Sequence, residues 1–139
     1  MKRGWFGIAL YEPKIEANLG TIMRSVVVFG AAFVALINAR YQRMAMDTVD
    51  AQKQLPVLYF QDWAHFTESM RHYPLVGVEV GRGVTLQQFR HPEQAVYVFG
   101  GEDRTLPVPC STYTHLETGF CLNLGIVVNL VMYTRQAQP

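Results

Sequence analysis

Residues 5–30 read WFGIALYEPKIEANLGTIMRSVVVFG, and the change of period inside this stretch decides the fold. Trp5–Tyr11 is a continuous apolar run closed by Glu12-Pro13. A run this short, ended by a proline that keeps the preceding residue out of the helical region, predicts a buried strand and then a loop. From Asn18 the apolar positions re-space. Leu19, Ile22, Met23, Val26 and Val27 follow the i, i+3, i+4, i+7, i+8 stripe of a helix, and Gly30 is placed to stop it.

The same alternation continues outward. Ala32–Asn38 predicts a second buried strand, and Ala39–Pro56, with Arg40, Arg43 and Lys53, a long surface loop. Pro56–Phe60 predicts a third strand. Asp62 is positioned to cap a helix striped by Trp63, Phe66, Met70 and Tyr73. Leu75–Val80 and Ala95–Phe99 read as strands with a glycine-rich turn at Gly81–Gly83 between them; Tyr113–Leu116 reads as a last short strand and Leu122–Gln136 as a closing helix. Near-continuous apolar strands alternating with helices predict an α/β fold, a mostly parallel sheet flanked by helices. No repeat or linker divides the chain, so residues 1–139 are expected to form a single domain.

The size supports a packed core. At 15.8 kDa the folded surface should be about 7,300 Å² against about 22,900 Å² extended, so roughly two-thirds is buried. A chain 50% hydrophobic and 17% charged is not a disordered one. The uncharged runs 25–39 and 119–134 fall short of the ~20 residues that cross a bilayer, and the N-terminus lacks the pattern of a signal peptide. A soluble, cytoplasmic protein without a membrane partner is expected. The net charge of +1 argues against coating nucleic acid by charge alone, although nine of the twelve Lys and Arg residues are arginine, the better phosphate fork. Cys110 and Cys121 make no disulfide framework. His65, His72, His91 and His115 have no ligand spacing, so no metal is expected.

The closing segment has almost no polar face across Leu122, Leu124, Ile126–Val128 and Leu130–Met132, and Val28 and Phe29 project from the first helix away from its stripe. One small subunit cannot cover all of these, which predicts a homodimer built on the two helices.

Three segments carry chemistry. Asn18-x-Gly20-x-x-x-Arg24 opens the first helix, AVYVFGGEDRTLP spans residues 95–107, and FCLNLGIVVNLVMY spans residues 120–133. Singly, each has a plain reading: a helix N-terminus with an exposed arginine, a strand end, an Asn N-cap. In this order and spacing, the chain resembles the SpoU (TrmH-like) branch of the SPOUT RNA methyltransferases over nearly its whole length, in its minimal single-domain form. The resemblance implies a SPOUT-type fold with a C-terminal trefoil knot, S-adenosylmethionine as methyl donor, and a dimer that completes the active site. It also implies methyl transfer to a ribose 2′-hydroxyl of RNA, with tRNA the favoured substrate and rRNA the other. The alternative is a catalytically inactive RNA- or nucleoside-binding protein of the same fold.

By position in the motifs, the catalytic set is Arg24, Asn18, Glu102 and Asn123. Arg24 would activate the hydroxyl or organise a phosphate; arginine stays protonated in proteins, which favours stabilising an alkoxide over acting as a base. Asn18 would orient Arg24 or merely cap its helix. Glu102 would hold the arginine or the ligand, and Asn123 would stand at the mouth of the cofactor site. The cofactor set carried over is Val78, Glu79, Gly100, Gly101, Leu116, Cys121 and Leu122, with the glycines expected to let a nucleoside approach bare backbone. The chain departs from the family pattern at Thr105, where glycine is usual, at Gly125, where Ser or Ala is usual, and at Cys121, where serine is common. It is also short between Pro107 and Tyr113.

Overall fold

The computed structural model describes residues 4–14, 16–40, 54–101, 104–107, 110–118 and 122–139, with the side chains of 16–18 outside that description. Seven strands, β1 (Trp5–Tyr11), β2 (Phe33–Ile37), β3 (Val57–Phe60), β4 (Leu75–Val78), β5 (Val84–Thr85), β6 (Gln94–Gly100) and β7 (Thr112–His115), form one sheet. Its order is β3-β2-β1-β6-β4-β7-β5, and every strand pairing is parallel. Among the described residues three helices, α1 (Glu16–Phe29), α2 (Trp63–Ser69) and α3 (Leu124–Ala137), cover it.

The apolar runs are continuous because both faces are buried. Side chains alternate across a strand, so Phe6, Ile8 and Leu10 of β1 and Tyr97 and Phe99 of β6 enter one core with Leu19, Ile22, Met23 and Val26 of α1 and Val128, Val131 and Met132 of α3. Ala9, Ala35, Val96 and Val98 enter the other core, under Phe66 of α2. Each fully buried aliphatic or aromatic side chain contributes about 1.5–3 kcal/mol.

The helix ends follow the sequence signals. Asp62 caps α2 by accepting the His65 amide at 2.8 Å. Gly30 has φ +81°, and the amides of Gly30 and Ala31 return to the carbonyls of Val27 and Val26, a Schellman stop for α1. Helix α3 starts two residues later than its apolar pattern, because the Asn123 side chain accepts the Gly125 amide at 2.8 Å and fixes the N-cap there.

Three features differ from the sequence reading. Phe29 is partly buried against the core rather than free, whereas Val28 is 81% exposed. The two-residue strand β5 was not foreseen; it exists only because β7 enters between β4 and β5, so that Thr114 is in register with Val78 on one side and Val84 on the other. The third difference is a buried polar cluster that ties α3 to the sheet. Arg135, only 4% exposed, donates to the carbonyls of Pro92 at 2.6 Å and Glu93 at 2.7 Å and to the Tyr97 hydroxyl at 3.1 Å. His91 bridges Tyr97 at 2.7 Å and Thr134 at 3.1 Å, and Gln138 accepts the His91 amide at 3.0 Å. The histidine that carried no signal in the sequence is thus a core hydrogen-bonding group. The loop expected over Ala39–Pro56 lies mostly outside the described residues.

No described helix is long and apolar enough to cross a membrane.

Candidate active-site cleft

A cleft of about 740 Å³ opens at the carboxyl ends of β4, β6 and β7 and the start of α3. Its volume falls in the range of small-ligand sites, and in parallel sheets ligands bind at this edge. Val78, Glu79, Val80 and Arg82 line it from β4 and the following turn; Phe99, Gly100, Gly101, Arg104 and Thr105 from β6 and its loop. His115, Leu116 and Thr118 follow β7, and Leu122, Asn123, Leu124 and Val127 close it from α3. The walls combine aliphatic side chains with strand-end backbone.

Six of the seven residues expected to hold a cofactor, Val78, Glu79, Gly100, Gly101, Leu116 and Leu122, therefore meet in one cleft, together with Asn123. Cys121 and Glu102 lie outside the described residues. Asn18 belongs to the first turns of α1, but its side chain is not described. Arg24 is not part of the cleft wall: it is exposed on α1, on the same helix face as Thr21 and Val28.

The glycines also have a local packing reason, beside the approach of a ligand. A Cβ at Gly100 would lie 2.4 Å from the Arg104 carbonyl, and one at Gly101 would lie 2.3 Å from the Glu12 carbonyl. What comes close to their bare backbone is the protein's own chain. Gly100 is also the last residue of β6, so a side chain there bears on the strand end as well as on the cleft. Gly100→Ala should displace the Arg104 carbonyl and cost about 1–3 kcal/mol, as overpacking does, besides disturbing the cleft. A thermal melt unchanged from wild type would contradict this. Gly125 has a similar local explanation: a Cβ would sit 3.2 Å from the capping oxygen of Asn123.

Charged groups hold the cleft's loops. Glu79 accepts the Leu106 amide at 2.7 Å through one oxygen; the other is buried, has no hydrogen-bond donor among the described residues, and lies 3.7 Å from Arg82. Arg82 in turn covers the Tyr113 ring with its guanidinium 3.9 Å from the centroid. Glu12 accepts Arg104 Nε at 2.7 Å and Asn38 Nδ2 at 2.9 Å. These two bonds, Arg104's first, hold the Glu12 carboxyl below its ordinary value of 4.5. The contact is therefore at full strength above that range and is lost as acid protonates the carboxylate. Behind the cleft, burial pushes the Cys110 thiol up to about 11, so it stays protonated and unreactive at neutral pH. Arg82, Arg104, His115 and Thr118 had no signal as cleft residues. Arg104 lies inside a quoted segment, but only the fold brings it to the cleft.

A cleft at the carboxyl edge of a parallel sheet, closed by a helix that follows a strand inserted between two earlier ones, places the chain in the α/β class, in which ligands bind at that edge. Within that class the chain matches the SpoU rRNA Methylase family over residues 6–133, and it belongs to that family. Among solved structures it is similar to an rRNA methyltransferase from Sinorhizobium meliloti, at 21% identity and a TM-score of 0.84, covering 98% of this chain and 57% of that one. A protein studied for the 2-OH methylation of C/U34 on tRNA matches at 21% identity and a TM-score of 0.82, covering 97% of this chain and 96% of that one. AviRb from Streptomyces viridochromogenes, a SpoU methyltransferase solved in complex with AdoMet, matches at 18% identity and a TM-score of 0.80, over 99% of this chain and 62% of that one. The chain thus spans little more than half the length of the Sinorhizobium enzyme. The search of curated proteins found no match.

Proposed function

We propose that the protein is an S-adenosylmethionine-dependent RNA methyltransferase that modifies a ribose 2′-hydroxyl, with tRNA as its substrate. The observation that carries this reading is the convergence of Val78, Glu79, Gly100, Gly101, Leu116 and Leu122 on one cleft. The cleft fits the donor: its aliphatic walls suit an adenine ring, strand-end amides and carbonyls suit a ribose, and Glu79 supplies an acidic acceptor. When bound, S-adenosylmethionine supplies a methyl group whose bond to sulfur breaks as a bond to the 2′-oxygen forms, while the hydroxyl proton passes to solvent. Membership of the SpoU family and the length match to the tRNA 2-OH methylation protein support the substrate. The cytoplasm is where such an RNA would be met.

This chain's residues would work by positioning. Asn123 fixes the entry of α3 at the cleft mouth, and Arg104, held by Glu12, faces the cleft from the other side. Arg24 lies away from its own chain's cleft but beside exposed Val28, and Ile126 and Tyr133 of neighbouring α3 are 51% and 62% exposed. A homodimer through this apolar face would carry Arg24 toward the partner's cleft, where its planar fork would stabilise the developing alkoxide or a flanking phosphate. The insertion of β7 between β4 and β5 accords with a C-terminal knot.

The assembly has its own test. Light scattering at micromolar concentration should give twice the 15.8 kDa chain mass, and Val28→Glu with Ile126→Glu should halve it. A wild-type mass of one chain would exclude the shared site. The reaction is tested by mass spectrometry of nucleosides from tRNA incubated with the protein and methyl-labelled S-adenosylmethionine. Labelled 2′-O-methyl nucleosides are expected; label on bases alone, or none, would overturn the reading.

A further inference from the structure

We propose that Glu12 is a positioning residue of the cleft, holding Arg104 and with it the segment 104–106 in the form that accepts the methyl donor. The inference rests on the methyltransferase reading for what the loop accepts, and on geometry alone for how the loop is held.

Glu12 follows β1 directly and has φ +50°, a left-handed backbone that a non-glycine residue keeps only where its surroundings enforce it. Those surroundings are all present. Its amide donates to the Ile37 carbonyl at 2.8 Å, and its carbonyl accepts Arg40 Nε at 2.8 Å. One carboxylate oxygen takes Asn38, itself at φ +48°, and the other takes Arg104 from 92 residues along the chain. The Gly101 amide donates to Tyr11 at 2.6 Å, and the missing Cβ of Gly101 lets the Glu12 carbonyl lie against it. Glu12 thus joins the ends of β1 and β2 to the segment that follows β6. Its side chain is only 18% exposed, yet it does not line the cleft, whereas Arg104 and Thr105 do. Glu12 therefore acts through Arg104. On the far side of the same segment, Glu79 holds the Leu106 amide, so the loop is gripped by a carboxylate at either end.

The Glu12–Arg104 pair is partly exposed and screened by solvent, so losing it should change the opening of the 104–106 segment roughly 3–5-fold. Glu12→Gly is the informative variant, because it removes the carboxylate while making the left-handed backbone free of strain. Hydrogen exchange of the Arg104, Thr105 and Leu106 amides should accelerate by roughly that factor, with the strand amides of β1 and β6 unchanged. S-adenosylmethionine affinity by calorimetry should weaken by a similar factor, and the kinetic loss should fall mainly on KM for the donor and less on kcat. Glu12→Gln, which keeps an acceptor, should restore part of both effects. Adding Glu12→Gly to Arg104→Ala should cost no more than Arg104→Ala alone. Exchange and affinity at wild-type values in Glu12→Gly, or full additivity with Arg104→Ala, would overturn the proposal; if Glu12→Gly fails to fold, Glu12→Gln exchanging at the wild-type rate does so. Should the wild-type protein bind no S-adenosylmethionine, the methyltransferase reading fails, and the exchange comparison still decides the role of Glu12.

Discussion

Replacing Arg135 with methionine is expected to lower the melting temperature by roughly 10 °C, the largest stability loss of any single change considered. The substitution keeps the aliphatic bulk but removes the donors that serve the buried carbonyls of Pro92 and Glu93 and the Tyr97 hydroxyl. Each buried group left unpaired costs about 1–3 kcal/mol. Part is returned because a guanidinium no longer has to be desolvated, leaving a net loss of about 3 kcal/mol. For a chain of this length a kilocalorie moves the transition by about 3–4 °C. Differential scanning calorimetry reads it directly. A shift under about 2 °C would mean that water or side-chain rearrangement satisfies those groups. The purpose of the cluster is legible in its position: it fastens α3, whose N-terminus forms one wall of the cleft, to the segment leading into β6, whose end forms another.

Arg24→Ala is expected to behave in the opposite way. The side chain is exposed on α1, so its loss should change stability by no more than about 0.5 kcal/mol. Turnover should nevertheless fall roughly 10²–10³-fold, the cost of losing one preorganised donor to a developing charge. Arg24→Lys should recover little, since an ammonium cannot reproduce the planar fork. Methyl transfer to RNA, melting temperature and donor affinity, measured together, separate the possibilities. A folded, donor-binding Arg24→Ala protein with undiminished transfer would remove Arg24 from the mechanism.

The two arginines mark where sequence reasoning reaches and where it stops. Local features were readable: the run from Trp5 to Tyr11, the stripe from Leu19 to Val26, the Gly30 stop and the Asp62 cap each depend on a few neighbouring residues, and the structure has them all. Most of the cleft was legible through the resemblance, because motif order places Val78, Gly100 and Leu122 together. Long-range pairing was not. Val84-Thr85 is too short to announce a strand and becomes one only beside β7. Arg135 and His91 look like surface residues until the fold surrounds them with carbonyls and a tyrosine. Glu12 gave no sign, because its role depends on a left-handed backbone and a partner 92 residues away. Gly100 and Gly101 line the cleft as expected, but the Arg104 and Glu12 carbonyls that an added Cβ would meet there could not be read from the sequence.

The central claim is that the cleft between the ends of β4, β6 and β7 and the start of α3 receives the methyl donor. Calorimetric titration of S-adenosylmethionine into the wild-type protein and into Leu122→Trp tests it most directly. Leu122 lines the cleft while being 39% exposed, so a larger ring there should fill the site without disturbing the core. One molecule bound per chain in the wild type, and loss of that binding in a Leu122→Trp protein of unchanged melting temperature, is the expected result. No binding at millimolar donor, or binding indifferent to Leu122→Trp, would contradict it.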